Sequence, residues 1–346
     1  MRPCSQIDNA YNVRCIELLC VFSLKSHISL IIASSKMSVV YLLGNGFDLN
    51  LGLKTSYASF LESYAQSDSK TPKIAEFKAN ISKNILLWSD LERALGSYTQ
   101  YIANSTEFDS IFEDISDDLK HYLLEIENGL RETPEIPSLP ASDFLKLLAE
   151  PENNLSADLG RNVTRLLGDV ISRRLDIVSF NYTRTVQILY PELNINIHHV
   201  HGHLGQDIVI GVNDDSQISN GGLRKSLDVT EALIKSECNT VMQRTDHISS
   251  MKVIKSAKVV CLFGLSLGTT DKIWWDLIAK EVMSRNLTVI LFWKSKDGEL
   301  NKDYKIKRVH RHVKNKLAQG TSAQTSEQFD KNVHIIVDSE IFSKII

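Results

Sequence analysis

Apolar residues follow two different spacings along the chain, and each spacing predicts a different kind of element. Residues 39–43 form an unbroken apolar run that ends in a glycine. Such a run is typical of a strand buried on both faces of a parallel sheet. From residue 56 to about residue 174, apolar residues recur three and four positions apart instead, which predicts amphipathic helices. The proline-rich segment 133–140 interrupts this pattern and is predicted to be a loop.

Short apolar runs return after residue 175, and helical patterns separate several of them. The predicted strands are DIVSFN, INIHHVHG, DIVIGV, KVVCLFG, LTVILFW and VHIIV. Strands that alternate with helices predict a parallel sheet with right-handed crossovers. We therefore predict an α/β chain with a Rossmann-like sheet and a large helical insertion after the first strand. The sheet core is assigned to residues 37–55 and 175–346, and the insertion to residues 56–174.

The first 36 residues differ from the rest of the chain. They contain three of the five cysteines, and their apolar run is broken by Glu17, Lys25 and His27. A signal peptide would need an unbroken apolar stretch and a small-residue cleavage site. We interpret Met37 as the biological start and residues 1–36 as a non-native or disordered extension. The alternative is an N-terminal element that packs on the domain.

Composition narrows the function classes. The 346 residues are 43% hydrophobic and 23% charged, which is ordinary for a globular protein. The net charge of −3 gives no overall basic field for nucleic acid, although a local basic groove stays open. No apolar stretch reaches the roughly 18 residues that a membrane span needs. The scattered cysteines fit neither a disulfide framework nor a zinc site, and they favour a reducing, cytoplasmic location.

The turn after the first predicted strand is a candidate phosphate site. It reads Gly44-Asn45-Gly46 and leads into a helix, and glycines there let a backbone approach an anion closely. The next glycine, Gly52, comes too late for a G-x-G-x-x-G fingerprint, and no Gly-Lys-Ser/Thr of a P-loop follows. The turn therefore predicts either a phosphate loop or a tight structural turn.

Polar residues also follow three later predicted strands. In chain order they are Asn181, His201 with Gly202, and then Gly264, Ser266 and Asp271. Because the carboxyl ends of parallel strands meet at one edge, we expect these residues to converge. Taken singly, Asn181 and the stretch from Gly264 to Asp271 are also compatible with a turn or a helix N-terminus, and His201 with a structural or surface histidine. No metal is expected, because no acidic partner stands at the spacing of a motif such as HExxH.

Together these stretches resemble the bacteriophage abortive-infection AbiH family over residues 37 to about 337. The stretches are GNGFDLNLGLKTSYASFL, WSDLE, SFNYTRT, HVHGHLG, IGVND and FGLSLGTTD. The resemblance implies an anti-phage function. The partners expected from it are a nucleotide ligand, a phage-encoded trigger and further copies of the chain, while membrane and nucleic-acid partners are not expected.

The order of the motifs also resembles, more distantly, the sirtuin-like NAD-binding fold. The first loop departs from that pattern by reading Gly-Asn-Gly-Phe-Asp, and Thr183 stands where an Asp usually follows the Asn. The four-cysteine zinc module of the protein deacylases is absent from the sequence, which argues against lysine deacylation. This resemblance leaves open the sirtuin-like defence domains that resemble NAD glycohydrolases.

The sirtuin-like resemblance implies NAD as ligand or substrate, with Asn181 and His201 as catalytic residues. The predicted cofactor-binding residues are Gly44, Asn45, Gly46, Phe47, Asp48, Gly202, Gly264, Ser266 and Asp271. Asp48 and Asp271 have helix capping as an alternative role. Three functions stay open: NAD hydrolysis, nucleotide sensing without turnover, and a toxin that acts on nucleic acid.

Overall fold

A computed structural model describes residues 37–132, 139–295 and 302–341 of the chain. The interpretation of residues 1–36 as an extension lies outside the described residues. Within the described ranges, a sheet with helices on both faces is joined to a separate group of helices.

The sheet has six parallel strands in the order β3-β2-β1-β4-β5-β6. The strands are β1 (Ser38–Leu43), β2 (Arg174–Ser179), β3 (Asn196–His199), β4 (Val259–Phe263), β5 (Thr288–Trp293) and β6 (Val333–Val337). The apolar runs of β1 and β4 are buried throughout, as predicted for strands covered on both faces. The winding direction reverses between β1 and β4, and ligands of open parallel sheets bind at such a point. The predicted Rossmann-like α/β sheet is thus consistent with the structure.

Fourteen α-helices occur in the described part of the chain. They are α1 (Gly46–Asn50), α2 (Tyr57–Tyr64), α3 (Pro72–Lys83), α4 (Leu91–Tyr98), α5 (Ser105–Glu132), α6 (Ala141–Ala149), α7 (Ala157–Leu167), α8 (Thr185–Leu189), α9 (Leu227–Leu233), α10 (Lys235–Val241), α11 (Asp246–Ser256), α12 (Lys272–Arg285), α13 (Asp303–Leu317) and α14 (Glu327–Asn332). No helix among the described residues has the length and apolar character needed to cross a membrane.

Two hydrophobic cores lie on opposite faces of the sheet, because side chains alternate along each strand. Val40 and Leu42 of β1 face a core shared with α11, α12, α13 and α14. Tyr41 and Leu43 face the other core, to which α6 and α7 contribute. These two helices lie within the predicted insertion, yet they pack directly on the sheet.

A third core belongs to the remaining helices and is built from two separate stretches of chain. Its buried residues come from 60–123 and from 182–234. We call α2–α5 together with residues 204–234 the helical region. The predicted strand DIVIGV falls in this region, and that prediction was wrong. Residues 207–212 form only an isolated bridge between Val212 and Ile234, because Val209 and Ile210 are buried beneath helices instead of beside a strand.

Candidate functional site

The candidate site lies at the carboxyl edge of the sheet, where the four strands β1, β2, β3 and β4 end. The polar residues that the sequence singled out all follow these strands. The structure sorts them into three groups: a glycine turn, a buried carboxyl beside Asn181, and a charged cluster around His201.

In the glycine turn, the backbone amides of Gly44, Gly46 and Phe47 already have partners within the chain. The Gly44 amide donates to the Phe263 carbonyl oxygen at 2.9 Å, and the Gly46 amide donates to the Gly264 carbonyl oxygen at 2.8 Å. The Phe47 amide donates to the Gly44 carbonyl oxygen at 2.9 Å. A phosphate at this turn would have to displace these bonds.

The glycines instead allow two loops to pack backbone against backbone. A Cβ atom on Gly46 would lie 2.5 Å from the Cα of Gly264, and one on Gly264 would lie 2.6 Å from the Phe47 nitrogen. Gly264 also has a φ of 70°, which glycine adopts without strain. The tight-turn interpretation therefore explains the glycines by itself.

Asn45 and Phe47 also have roles inside the protein. Asn45 is in the right-handed helical conformation, so it was not selected for a left-handed turn. Its side-chain amide donates to the Thr55 carbonyl oxygen at 3.0 Å and accepts from the Thr55 hydroxyl at 2.6 Å. The Phe47 ring is buried in the core against Phe144 and Phe263. Both side chains hold the turn and the segment that follows it.

Asp48 is a fully buried carboxyl beside the end of β2. It lies within α1 and accepts a hydrogen bond from the Thr183 hydroxyl on Oδ2. Burial raises its pKa to about 6, although the hydrogen bonds from Thr183 and Asn181 oppose this shift. Its Oδ1 is buried with no hydrogen-bond partner within the described residues. A carboxyl in this state can gain or lose a proton near neutral pH.

Asn181 is fixed at the end of β2 by its backbone. The His199 Nδ1 donates to the Asn181 carbonyl oxygen at 3.0 Å, while Gln187 Nε2 lies 2.7 Å from His199 Nε2. Burial lowers the pKa of His199 to about 4, so this histidine is neutral. The Asn181 side-chain oxygen is buried and has no partner in the described part of the chain. The side-chain oxygen of Asn181 is therefore available to a hydrogen-bond donor of a ligand.

Four side chains from four parts of the chain form what we call the charged cluster: Glu92, His201, Lys235 and Asp271. Lys235 Nζ lies 2.8 Å from Glu92 Oε2 and 2.8 Å from Asp271 Oδ1. His201 Nε2 lies 2.9 Å from the same Asp271 oxygen. Glu92, His201 and Lys235 are buried, and the Asp271 side chain is 20% exposed.

Mutual pairing sets the charges of this cluster. Burial alone raises the pKa of Asp271, but the charges of Lys235 and His201 outweigh it and hold the pKa well below its usual range. Burial lowers the pKa of Lys235, and Asp271 and Glu92 together more than reverse that effect. The pKa of Glu92 stays raised by burial despite Lys235. With both carboxyls ionised and Lys235 charged, a neutral His201 leaves the cluster with one excess negative charge.

The hydrogen bond to Asp271 determines that Nε2 of the His201 ring carries a proton. Since the ionised Asp271 oxygen can only accept, His201 Nε2 carries the proton. The other nitrogen, Nδ1, is buried and has no partner among the described residues. In neutral His201 this atom has a free lone pair, so the ring is arranged as a general base.

The remaining predicted residues shape the loops around these groups. Asp271 stands at the N-terminus of α12, but its side chain does not cap the helix. It pairs with Lys235 and His201 of the charged cluster instead. Gly202 has a φ of 78°, and a Cβ there would meet the Asp207 carbonyl oxygen. Ser266 is exposed, and its carbonyl oxygen accepts from Lys316 Nζ at 3.2 Å. Next to it, Leu267 has a φ of 54°, a strained conformation for a branched residue.

A family model described as "Bacteriophage abortive infection AbiH" matches residues 40–293. The chain belongs to this family. Membership confirms the AbiH resemblance and associates the chain with bacteriophage abortive infection. A comparison with curated proteins gives no match.

Two members of the charged cluster were not predicted as site residues of this AbiH-family chain. Glu92 lies in the WSDLE stretch, which contributed only to the resemblance, and Lys235 was not singled out at all. Tyr182, the residue after Asn181, places its hydroxyl 3.3 Å from Glu92 Oε1. This contact links the end of β2 to the charged cluster. The one local signal for Lys235 is its position directly after the apolar pair Leu233 and Ile234, which is buried.

Proposed function

We propose that this AbiH-family chain binds NAD or a related dinucleotide at the carboxyl edge of its sheet and hydrolyses the nicotinamide–ribose bond. One observation carries the proposal. Asp48 Oδ1, Asn181 Oδ1 and His201 Nδ1 are buried polar atoms without a hydrogen-bond partner in the described residues. Most buried polar atoms in proteins are paired, so three unpaired acceptors after three strands of one sheet edge favour a ligand there.

The topology and the residue types support a dinucleotide as that ligand. The strand order 3-2-1-4-5-6, with its reversal between β1 and β4, is common to many dinucleotide-binding sheets. The order of the motifs adds the sirtuin-like resemblance. The unpaired oxygens of Asp48 and Asn181 suit the hydroxyl donors of a ribose, and His201 Nδ1 suits a water molecule.

The proposal assigns the pyrophosphate to a different place from the one that the sequence suggested. The glycine turn has no free amide at Gly44 or Gly46 to offer. Lys316, whose ammonium lies beside the Ser266 carbonyl oxygen, supplies a positive charge at the neighbouring loop. We therefore assign the pyrophosphate to the loop that contains Ser266.

His201 and its partners supply the chemistry for hydrolysis. The nicotinamide–ribose bond breaks with its electron pair passing to the nicotinamide ring, which leaves as a neutral molecule. A water oxygen bonds to the ribose carbon, and one water proton passes to His201 Nδ1. Asp271 stabilises the resulting imidazolium through Nε2, and Lys235 keeps Asp271 ionised. The Asn181 amide holds the water or a ribose hydroxyl.

The test is incubation of the purified full chain with NAD, with and without a lysate of phage-infected cells. Release of nicotinamide is the readout. We expect His201→Ala to lower the rate by about 10²–10⁴-fold while the affinity for NAD changes little, because a general base acts on the chemical step.

The matched control is His121→Ala, whose side chain is 77% exposed on α5. Its rate is expected to equal that of the unchanged chain. Binding of NAD without release under either condition would reduce the proposal to nucleotide sensing. The absence of both binding and release would refute it.

A further inference from the structure

Helix α13 carries a concentration of positive charge that the net charge of the chain conceals. Its fifteen residues include six Lys or Arg and one acidic residue, Asp303, whereas the whole chain has a net charge of −3. Lys307, Arg308 and Arg311 are exposed on its outer face, together with His312. At 3.6 residues per turn, Arg308 and Arg311 lie on one side of the helix, and Lys307 flanks them. We call these three residues the basic strip.

The basic strip has no carboxylate partner among the described residues. Farther along the helix, Lys314 pairs with Asp330 at 2.8 Å, and Lys316 donates to the Ser266 carbonyl oxygen. Unpaired like charges on adjacent turns repel one another and destabilise a helix. A partner of opposite charge would relieve that repulsion.

The distribution of apolar side chains around α13 distinguishes a membrane surface from a nucleic acid as the anionic partner. Its apolar face is already used, because Val313 and Leu317 are buried in the core beside α14. On the outer face, the one exposed large hydrophobic or aromatic side chain among the described residues is Tyr304, at 53%. A helix that lies in a membrane surface needs a free apolar face, and α13 does not have one. A hydrated polyanion fits better.

We propose that the basic strip of α13 binds the phosphate backbone of a nucleic acid without reading its sequence. The basic strip spans about 6 Å of the helix axis at about 1.5 Å per residue, so its three long side chains can reach neighbouring phosphates of one duplex. Arg308 and Arg311 offer planar guanidinium groups that bind phosphate through two hydrogen bonds. This inference does not rest on the proposed activity toward NAD.

The strip runs toward the candidate site. Lys316, in the last turn of α13, contacts the loop that contains Ser266. A nucleic acid bound along the helix would therefore lie beside the carboxyl edge of the sheet.

The experiment measures fluorescence anisotropy of a labelled oligonucleotide of unrelated sequence, as a single strand and as a duplex, with the full chain. Between about 50 and 200 mM KCl, affinity for the duplex is expected to fall by about 40-fold if three phosphates are contacted. The variant Lys307→Gln/Arg308→Gln/Arg311→Gln should lose at least about tenfold in affinity, with a salt slope shallower by about 3.

The control variant removes the same amount of charge elsewhere. Lys83, Lys146 and Lys225 are exposed, and none has a carboxylate partner within the described ranges. Replacing these three with Gln should leave affinity within about twofold of the unchanged chain. The proposal is overturned if neither oligonucleotide binds at low salt, if both variants bind equally, or if the chain binds vesicles rich in phosphatidylserine and neither oligonucleotide.

Discussion

The glycine turn after β1 and the charged cluster around His201 lie at the same edge of the sheet, and their polar groups are in opposite states. In the turn, the amides of Gly44 and Gly46 both donate to backbone carbonyls of the loop after β4. In the cluster, His201 Nδ1 is buried and finds no partner within the described residues. The two glycine amides of the turn are thus used within the protein, whereas the cluster retains an unpaired acceptor.

At the strand ends of such a sheet, glycines and unpaired polar atoms carry different information. A glycine there indicates that the chain approaches another group closely, but it does not show whether that group belongs to a ligand or to the protein. At Gly46 it belongs to Gly264. A buried and unpaired acceptor is a better indication of a ligand, since the chain gains nothing from leaving it unpaired.

The strongest test of the cluster is to remove its central cation. Lys235→Met should lower the free energy of unfolding by about 3–5 kcal/mol, because Glu92 and Asp271 would be left as buried carboxyls without a counter-charge. Urea denaturation followed by circular dichroism measures the change. The double variant Lys235→Met/Glu92→Gln should recover part of the loss. A cost below about 1 kcal/mol would show that the cluster is solvated.

The turn is tested by adding one methyl group. Gly46→Ala should cost about 3 kcal/mol of stability, since its Cβ would overlap the backbone of Gly264. The matched control is Gly129→Ala in α5, where a Cβ meets no atom within 4 Å and helix propensity predicts a gain of about 0.5–1 kcal/mol. Both values come from thermal or urea unfolding. A Gly46→Ala variant of normal stability that fails to bind NAD would restore the phosphate-loop interpretation.

Asp48 tests whether an unpaired acceptor carries a cost. A folded pKa of about 6, raised from 3.8, means that the folded state binds a proton more tightly than the unfolded state. The contribution of Asp48 to the free energy of unfolding is therefore most favourable below about pH 4, and this advantage is lost as the pH rises through about 6. Asp48→Asn removes this loss, so it should stabilise the chain by about 2–3 kcal/mol at pH 7–8 and change little near pH 4. An effect that does not vary with pH would contradict the raised pKa.

The smallest effect is expected at Asn45. Asn45→Ala removes two hydrogen bonds to Thr55 and should cost about 1 kcal/mol of unfolding free energy. Affinity for NAD, measured by calorimetry, should stay the same because the side chain faces the protein. Weaker binding at unchanged stability would return Asn45 to the ligand site.

The sheet could be predicted from the sequence because its signals are local. The unbroken apolar run of β1 and the alternation of strands with helices predicted a parallel sheet, and the order of strands and polar residues predicted that the residues after β2, β3 and β4 lie at one edge. The prediction of a strand at 207–212 was wrong because its apolar residues are buried by helices. The spacing of apolar residues does not show which kind of element covers them.

The charged cluster could be predicted only in part. His201 and Asp271 follow strands, so they were found, although their mutual hydrogen bond was not. Lys235 and Glu92 are 143 residues apart in the sequence and meet only in the folded chain, where the first turns of α4 and α10 come together beside the loop before α12. A lysine in a short helix is usually a solvent-exposed residue, and nothing in its neighbourhood along the chain identifies the carboxyls that surround it.

The composite core of the helical region has a consequence for the synthesis of the protein on the ribosome. The apolar faces of α2–α5 emerge first, but residues 204–234, which complete their core, follow about 80–110 residues later. At about 5–20 residues per second, this delay lasts about 4–22 seconds. Throughout that interval the part of α4 around Gly96, which packs closely against Gln217 and Val212 in the finished protein, lacks this cover. Synonymous codons that slow translation between residues 123 and 204 would lengthen this interval.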